Sequence, residues 1–161
     1  MKSQFELKII RVDTEAQIEA IRKLFLEYAQ SLDFKLCFQS FDEELIGLPG
    51  KYASPEGRLL LAMVNDVPAG CVAVRKIDDA ICEMKRLWVR PEFRGQKIGE
   101  ALARAAMEEA KSRYERMQLD TVATSMAQAV KLYRSLGFYE IEAYTHNPVA
   151  GAMFMECELR S

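Results

Sequence analysis

The residues with the clearest chemical potential lie in one short basic segment, Arg94-Gly95-Gln96-Lys97-Ile98-Gly99. An apolar stretch typical of a strand precedes it, and a stretch with helical periodicity follows it. The first backbone amides of a helix have no partner within the helix, and with the helix dipole they favour an anion such as phosphate. Neither Gly-x-x-x-x-Gly-Lys-Ser/Thr nor Gly-x-Gly-x-x-Gly occurs here, so the two usual nucleotide loops are excluded. The segment therefore predicts a phosphate site of another kind.

Composition limits the kind of protein that carries this site. The chain has 161 residues and a net charge of −2, which predicts one domain over 1–161 and argues against a general nucleic-acid binder. No apolar run reaches the roughly 18 residues of a membrane span, and the N-terminus lacks the apolar core of a signal peptide. We therefore expect a cytoplasmic protein without membrane contact. Four scattered cysteines and one histidine predict reduced thiols and no metal site.

Hydrophobic periodicity predicts the elements that position the segment. Thr14 with Gln17 forms a capping box at the start of the first helix, and Ser40 with Glu43 predicts a second one. Gly137 is expected to end the last helix. The predicted strands cover 5–11, 58–64, 69–77, 81–90, 117–122, 139–144 and 152–159, and the helices 14–31, 40–46, 100–111 and 127–136.

The strands before and after the basic segment differ in how they are connected. Short turns join the strands over 58–90, which predicts an antiparallel meander. The unit over 81–122 is strand, helix, strand, and it forms a right-handed crossover if its strands are parallel neighbours. The expected fold class is therefore α+β, with a mixed, mostly antiparallel sheet flanked by helices and one parallel pair at its centre. The loop over 50–57 is the candidate for a mobile or substrate-facing segment.

The basic segment resembles the acyl-coenzyme A-binding motif of the GCN5-related N-acetyltransferase (GNAT) superfamily, Arg/Gln-x-x-Gly-x-Gly/Ala between a strand and a helix. The segment over 129–138, AVKLYRSLGF, is similar to the superfamily's A-x-x-L-Y-x-x-x-G-F pattern. The order of elements also matches, so the resemblance covers nearly the whole chain. It implies a GNAT-like fold whose two parallel strands splay apart. Lys97 and Met126 depart from the pattern, since they stand where glycine and asparagine are usual.

The resemblance implies acetyl-CoA as co-substrate and no metal. The pyrophosphate is expected at the amides of the basic segment, and the pantetheine arm is expected to pair with the preceding strand like an added strand. Lys97 is expected to keep the backbone shape and to add positive charge. The cofactor-binding residues that the resemblance implies are Leu87, Trp88, Val89, Arg94, Gly95, Gln96, Lys97, Ile98, Gly99 and Glu100.

Two residues are predicted to be catalytic. Transfer of an acetyl group to an amine requires a base for the amine and an acid for the leaving thiolate. Glu83 lies eleven residues before Arg94, the spacing of the glutamate base in histone-type members. Alternatively, it lies on a solvated face and pairs with Lys85, Arg75 or another neighbour, while a water chain takes the proton. Tyr133 matches the tyrosine that protonates the thiolate; alternatively it is only a packed core residue.

The implied activity is direct transfer of an acetyl group from acetyl-CoA to a primary amine, with a small molecule favoured over a protein. Lys97 and Met126 motivate a rival hypothesis, a non-catalytic acyl-CoA-binding sensor or scaffold. A homodimer is an expectation from the resemblance alone. His146 is expected to be a surface residue, although a proton-relay role is an alternative. Three phenylalanines are candidates to line an acceptor cleft: Phe34, Phe38 and Phe41.

Overall fold

The computed structural model describes residues 5–32, 40–124 and 126–160. In these ranges seven strands form one sheet, with strand order β1-β2-β3-β4-β5-β7-β6. The strands are β1 Leu7–Arg11, β2 Arg58–Val64, β3 Val67–Lys76, β4 Ile81–Val89, β5 Arg116–Val122, β6 Tyr139–Ile141 and β7 Ala152–Glu158. The α-helices are α1 Glu15–Ser31, α2 Phe41–Ile46, α3 Ile98–Ala110 and α4 Ala127–Ser135. A search of the described helices finds none that is long and apolar enough to cross a membrane.

The pairing of the strands confirms the predicted fold class. β1 to β4 form an antiparallel meander, β4 and β5 are parallel, and β7 is antiparallel to both β5 and β6. The parallel pairing is short, because it begins at Ile81 opposite Arg116 and ends at Glu83 opposite Gln118. Both strands continue without pairing to each other, to Val89 and Val122. The predicted separation of the parallel strands is therefore present, and it opens a gap in the middle of the sheet.

Two apolar layers cover the two faces of the sheet. One lies beneath α3, where Leu102, Ala103 and Ala106 are fully buried against β2 to β5. The other lies beneath α1 and α2, where Leu24 and Phe25 are fully buried. Fully burying a leucine or phenylalanine side chain stabilises the fold by about 1.5–3 kcal/mol. Because both faces are covered, β2 and β3 are continuously apolar rather than alternating.

A β-bulge interrupts β4 beside the gap. Cys71 and Ala73 of β3 pair with Trp88 and Lys85, so two residues of β4 lie opposite one residue of β3. Arg86 takes the extra position with a φ of 61°. A bulge of this kind bends a strand and increases its twist. Beyond the bulge Gly70 pairs with Val89, and a Cβ on Gly70 would lie 2.6 Å from the carbonyl oxygen of Trp88, so only glycine fits there.

One predicted helix cap is confirmed and the other is wrong. Thr14 and Gln17 form the reciprocal capping box at the start of α1. Ser40 precedes α2, but its side chain makes no capping hydrogen bond, because its left-handed φ of 56° differs from the extended backbone that a side-chain cap requires. Three acidic residues in the first turn of α2 complement the helix dipole instead: Asp42, Glu43 and Glu44.

The loop over 50–57 is more ordered than its composition suggested. It contains a 3-10 helix, Gly50–Tyr52, and the Tyr52 ring is buried edge-on against Phe25 with 6.1 Å between ring centroids. No residue of this loop lines the main cleft. The loop therefore anchors the layer under α1, and the prediction of a substrate-facing segment is wrong.

Candidate active site

The gap between β4 and β5 opens into a cleft with a volume of about 820 Å³. Residues from α1, β4, β5, α3 and α4 line it. Most of the residues predicted to bind the cofactor lie there, together with the predicted acid, whereas Gln96 and Glu83 do not line it. The predicted residues that line the cleft are Leu87, Trp88, Val89, Arg94, Gly95, Lys97, Ile98, Gly99, Glu100 and Tyr133.

One end of the cleft is the start of α3. Lys97 is its N-cap residue and makes no side-chain cap, so the first amides of this 13-residue helix are left for a ligand. Gly95 has a φ of 84° and open space where a Cβ would stand, so the turn exposes its backbone. Arg94 and Lys97 are exposed and add positive charge. This end of the cleft suits the anionic end of an acyl-CoA.

Arg94 is tied to the strand that precedes it. Its Nε donates a hydrogen bond to the carbonyl oxygen of Val89 at 3.0 Å, and its guanidinium lies 4.8 Å from the centre of the Trp88 ring. A guanidinium over an aromatic face is held by a cation–π attraction of about 0.5–1 kcal/mol. The carbonyl of Val89 therefore already accepts one hydrogen bond. Leu87 and Val89 are both expected to pair with the cofactor, and Leu87 is the freer of these two residues.

Lys97 adopts the left-handed conformation that a glycine would adopt without strain, with φ 63° and ψ 26°. Its backbone thus keeps the shape expected from the resemblance. A residue with a Cβ in this conformation costs about 1–2 kcal/mol, and replacement by glycine would relieve that cost. Glycine also has more conformational freedom in the unfolded chain, which offsets part of the gain in stability. We expect Lys97→Gly to raise the free energy of unfolding by about 0.5–1 kcal/mol, measured by denaturant titration.

The matched control for this substitution is Lys97→Met, which removes the charge and keeps the strained Cβ. Its stability should equal that of the wild type. Both variants should bind acetyl-CoA a few-fold more weakly by calorimetry, because each loses the positive charge beside the helix start. A Lys97→Gly variant that is less stable than Lys97→Met would contradict the prediction, because relief of backbone strain would then not outweigh the greater freedom of glycine in the unfolded chain.

Tyr133, on α4, lines the same cleft. Its ring packs 5.7 Å from the ring of Phe138, and the side chain is largely buried. Gly137, at φ 102°, ends the helix as predicted, and the amide of Phe138 donates to the Tyr133 carbonyl at 3.0 Å. Burial, followed by the nearby Tyr28 and Asp120, raises the pKa of the Tyr133 hydroxyl. The tyrosine is therefore both a packed residue and a protonated hydroxyl at the cleft.

Glu83 is buried behind the cleft wall. Its side chain is 1% exposed, and both of its oxygens are occupied. Oε1 accepts from Nε of Arg75 at 2.7 Å, and Oε2 accepts from the hydroxyl of Tyr144 at 2.6 Å. The pairing with Arg75 that was the alternative to catalysis is present, although on a buried face rather than a solvated one. A role for Glu83 as the base stays a prediction.

Sequence reasoning missed four polar residues that line the cleft near the gap: Tyr28, Lys85, Asp120 and Asn147. Asp120 Oδ2 accepts a hydrogen bond from Asn147 Nδ2 at 3.0 Å. Lys85 Nζ lies 4.0 Å from Asp120 Oδ1 and 4.0 Å from Glu83 Oε1. Burial lowers the pKa of Lys85, and burial raises that of Tyr28 to about 12. No local sequence signal singles these residues out, since other charged and polar residues also occur in β4 and β5.

Of the remaining candidates, the structure describes His146 and Phe41, and neither lines the cleft. His146 is exposed, and Phe41 is buried with the Arg86 guanidinium 5.4 Å from its ring centre, so the expectation that it lines the cleft is wrong. Phe34 and Phe38 fall outside the described residues. Within the ranges that the structure describes, no group of histidine, cysteine and acidic residues could hold a metal ion.

The arrangement fits an acyl-CoA substrate. One cleft brings together an uncapped helix start with two cations, the strand edges left unpaired beside the gap, and a protonated tyrosine. An extended arm can add to such a strand edge through backbone hydrogen bonds.

Comparisons with known proteins agree with this fit. The family model described as "Acetyltransferase (GNAT) family" matches residues 18–138. An uncharacterised N-acetyltransferase of Schizosaccharomyces pombe is 38% identical over 162 residues, covering 99% of each chain. The N-acetylaspartate synthetase of Danio rerio is 35% identical over 130 residues, which are 77% of this chain and 43% of that protein. A Staphylococcus aureus acetyltransferase of the GNAT family superposes with a TM-score of 0.79 at 18% identity, covering 96% and 100% of the two chains. The chain belongs to the GNAT family of N-acetyltransferases.

Proposed function

We propose that this protein transfers an acetyl group from acetyl-CoA directly to the primary amine of a small molecule. The observation that carries the proposal is the single cleft that joins the start of α3 to the hydroxyl of Tyr133 across the gap between β4 and β5. Acetyl-CoA supplies a thioester whose carbonyl carbon is open to an amine. The chain supplies the groups that bind the co-substrate and the groups that transfer protons.

The α3 end of the cleft holds the charged part of the co-substrate. The free amides of Ile98, Gly99 and Glu100 point toward the helix start, where the dipole favours negative charge. Arg94 and Lys97 add two positive charges at the same place. The backbone of β4 at Leu87 offers the strand edge beside the gap, and Tyr133 delivers its proton to the departing sulfur.

Direct transfer is favoured over an acyl-enzyme because no described cysteine is suited to attack. Cys71, Cys82 and Cys157 are buried and do not line the cleft. Burial raises the pKa of Cys82 to about 12 and that of Cys157 to about 11. The thiolate is the nucleophilic form, so these thiols are inert at neutral pH. Their free, buried state also supports a cytoplasmic location as part of the proposal.

A small acceptor is supported by the compact polar floor of the cleft, where Lys85, Asp120 and Asn147 lie within reach of each other. A relative of this chain is named for making N-acetylaspartate, whose acceptor is a small molecule. Glu83 contacts this floor only through Lys85, so it can act as a base only by relay.

The proposal is tested by release of the CoA thiol with a panel of alkylamines, amino acids, polyamines and peptides. We expect turnover with at least one small amine. Acetyl-CoA at 100 times its dissociation constant should stabilise the protein by about 2.7 kcal/mol in thermal unfolding, whereas ATP and NAD should not. Stabilisation by ATP alone contradicts the proposal. Binding of acetyl-CoA without turnover on any acceptor favours the sensor hypothesis, which Lys97 and Met126 motivate.

A further inference from the structure

We propose that Asp120 is the catalytic carboxylate that accepts the proton of the acceptor amine, in place of Glu83. The inference rests on the proposed function, since it assigns a residue to the same acetyl transfer. It is carried by the position of Asp120 in the cleft and by the contacts of its two oxygens.

Asp120 lies where the sheet opens. It follows Gln118, the last residue of β5 that pairs with β4, and its backbone is held on the other side by Phe154 of β7. Its side chain lines the cleft and is 9% exposed, whereas Glu83 is 1% exposed and does not line it. A base must reach the proton that it removes, directly or through one water. Asp120 meets this requirement without a relay.

The two oxygens of Asp120 differ in their hydrogen-bond contacts. Oδ2 accepts the hydrogen bond from Asn147, which fixes the orientation of the carboxylate. Oδ1 has Lys85 Nζ at 4.0 Å, which is too long for a hydrogen bond. Among the described residues no fully buried side-chain oxygen or nitrogen lacks a partner, so Oδ1 is open to the cleft. Glu83, by contrast, has both oxygens occupied by Arg75 and Tyr144.

The titratable groups that face Asp120 come from β4, α1, α4 and the loop before β7. Lys85, on β4, faces it with a positive charge, and behind Lys85 the charge of Glu83 is balanced by Arg75. The other titratable groups that face it are hydroxyls whose pKa burial raises, so they are neutral at assay pH: Tyr28 on α1, Tyr133 on α4 and Tyr144 in the loop before β7.

The proton balance of the transfer is complete with these groups. Asp120 takes one proton from the acceptor ammonium and leaves a neutral amine. The carbon–nitrogen bond then forms, the carbon–sulfur bond breaks, and the Tyr133 hydroxyl gives its proton to the sulfur. The second proton of the nitrogen returns to the Tyr133 oxygen. Asp120 releases the first proton to water, so one proton leaves for each amide formed.

The test compares two acceptors of equal size, methylamine and hydroxylamine. At neutral pH methylamine is almost fully protonated and needs a base, whereas hydroxylamine is almost fully neutral. Asp120→Asn should lower the second-order rate constant for methylamine by about 100-fold and that for hydroxylamine by less than about fivefold. The residual methylamine rate should rise about tenfold per pH unit, because only the neutral amine then reacts. Asp79→Asn, an exposed matched control, should change neither rate.

Glu83→Gln should lower both rate constants by the same factor, because it unpairs Arg75 without touching the acceptor. The proposal is overturned if Glu83→Gln lowers the rate for methylamine but not that for hydroxylamine. It is also overturned if Asp120→Asn lowers both rates equally. A wild type that acetylates hydroxylamine and not methylamine at any pH also overturns it. A wild type that acetylates neither acceptor, nor any member of the wider panel, contradicts the proposed function itself.

Two readouts do not depend on turnover. Asp120→Asn should bind acetyl-CoA within about threefold of the wild type by calorimetry. Asp120 lies two residues after the end of the parallel pairing, whereas the start of α3 follows β4 beyond Val89. In the wild type with ¹³C-labelled aspartate carboxyls, the Asp120 signal is assigned as the one that is missing in Asp120→Asn. This signal should shift saturably as methylammonium chloride is added. It should not shift with tetramethylammonium, which has no N–H to donate. Absence of the methylammonium shift counts against the proposal.

Discussion

Tyr133→Phe is expected to lower kcat by about 100-fold while acetyl-CoA affinity stays within about threefold. The ring that packs 5.7 Å from Phe138 is kept, so α4 and the cleft wall should not move. Only the hydroxyl is lost, and with it the proton for the departing sulfur. Because that proton is needed in the transition state and not for binding, the loss should appear in kcat rather than in the dissociation constant.

The pH dependence of the wild type follows from the same residue. Burial raises the pKa of the Tyr133 hydroxyl, so the acid form is present throughout an ordinary assay range and deprotonation of Tyr133 causes no alkaline loss of activity. Tyr139→Phe is the matched control, since its hydroxyl bonds Glu156 and Glu158 away from the cleft. An unchanged kcat in Tyr133→Phe would assign Tyr133 to packing alone, as the alternative interpretation has it.

Local signals explain why much of the fold was predictable. The capping box at Thr14 and the left-handed Gly137 act within one turn of a helix, so sequence spacing is enough to locate them. The same holds for the basic segment at the start of α3, whose free amides follow from any helix start. The short turns of the meander fix which strands are neighbours, and the crossover over 81–122 then has one allowed hand.

The acceptor end of the site was not predictable for a physical reason. Its residues come from distant parts of the chain, and they meet only because the parallel pairing ends at Glu83 and a bulge forms at Arg86. Neither event has a local sequence signal. Lys85 and Asp120 therefore look like ordinary strand charges until the tertiary structure places Lys85 Nζ 4.0 Å from Asp120 Oδ1. The failed cap at Ser40 has a related cause, since the chain enters α2 with a left-handed residue that the spacing alone does not reveal.

Glu44→Ala is expected to lower the free energy of unfolding by about 3 kcal/mol, the largest stability effect that we predict. Glu44 on α2 receives two hydrogen bonds from Arg86, at 2.9 and 2.8 Å. The Arg86 side chain is 3% exposed and occupies the bulge of β4. Removal of the carboxylate takes two charge-assisted hydrogen bonds away from a guanidinium that is almost fully buried, so its desolvation cost is less well offset. In a domain of this size we expect a drop in Tm of about 6–12 °C, measured by calorimetry.

The double variant Glu44→Leu, Arg86→Met separates the charge effect from loss of packing. It removes both charges together and keeps apolar volume near Phe41, so it should recover most of the stability lost in Glu44→Ala. Glu43→Ala, on the exposed side of the same helix, should change the free energy of unfolding by less than about 0.5 kcal/mol. Equal losses in Glu43→Ala and Glu44→Ala would instead assign the effect to the charge of the helix as a whole. Because Arg86 also lines the cleft, the recovered stability of the double variant allows its effect on acetyl transfer to be measured without unfolding.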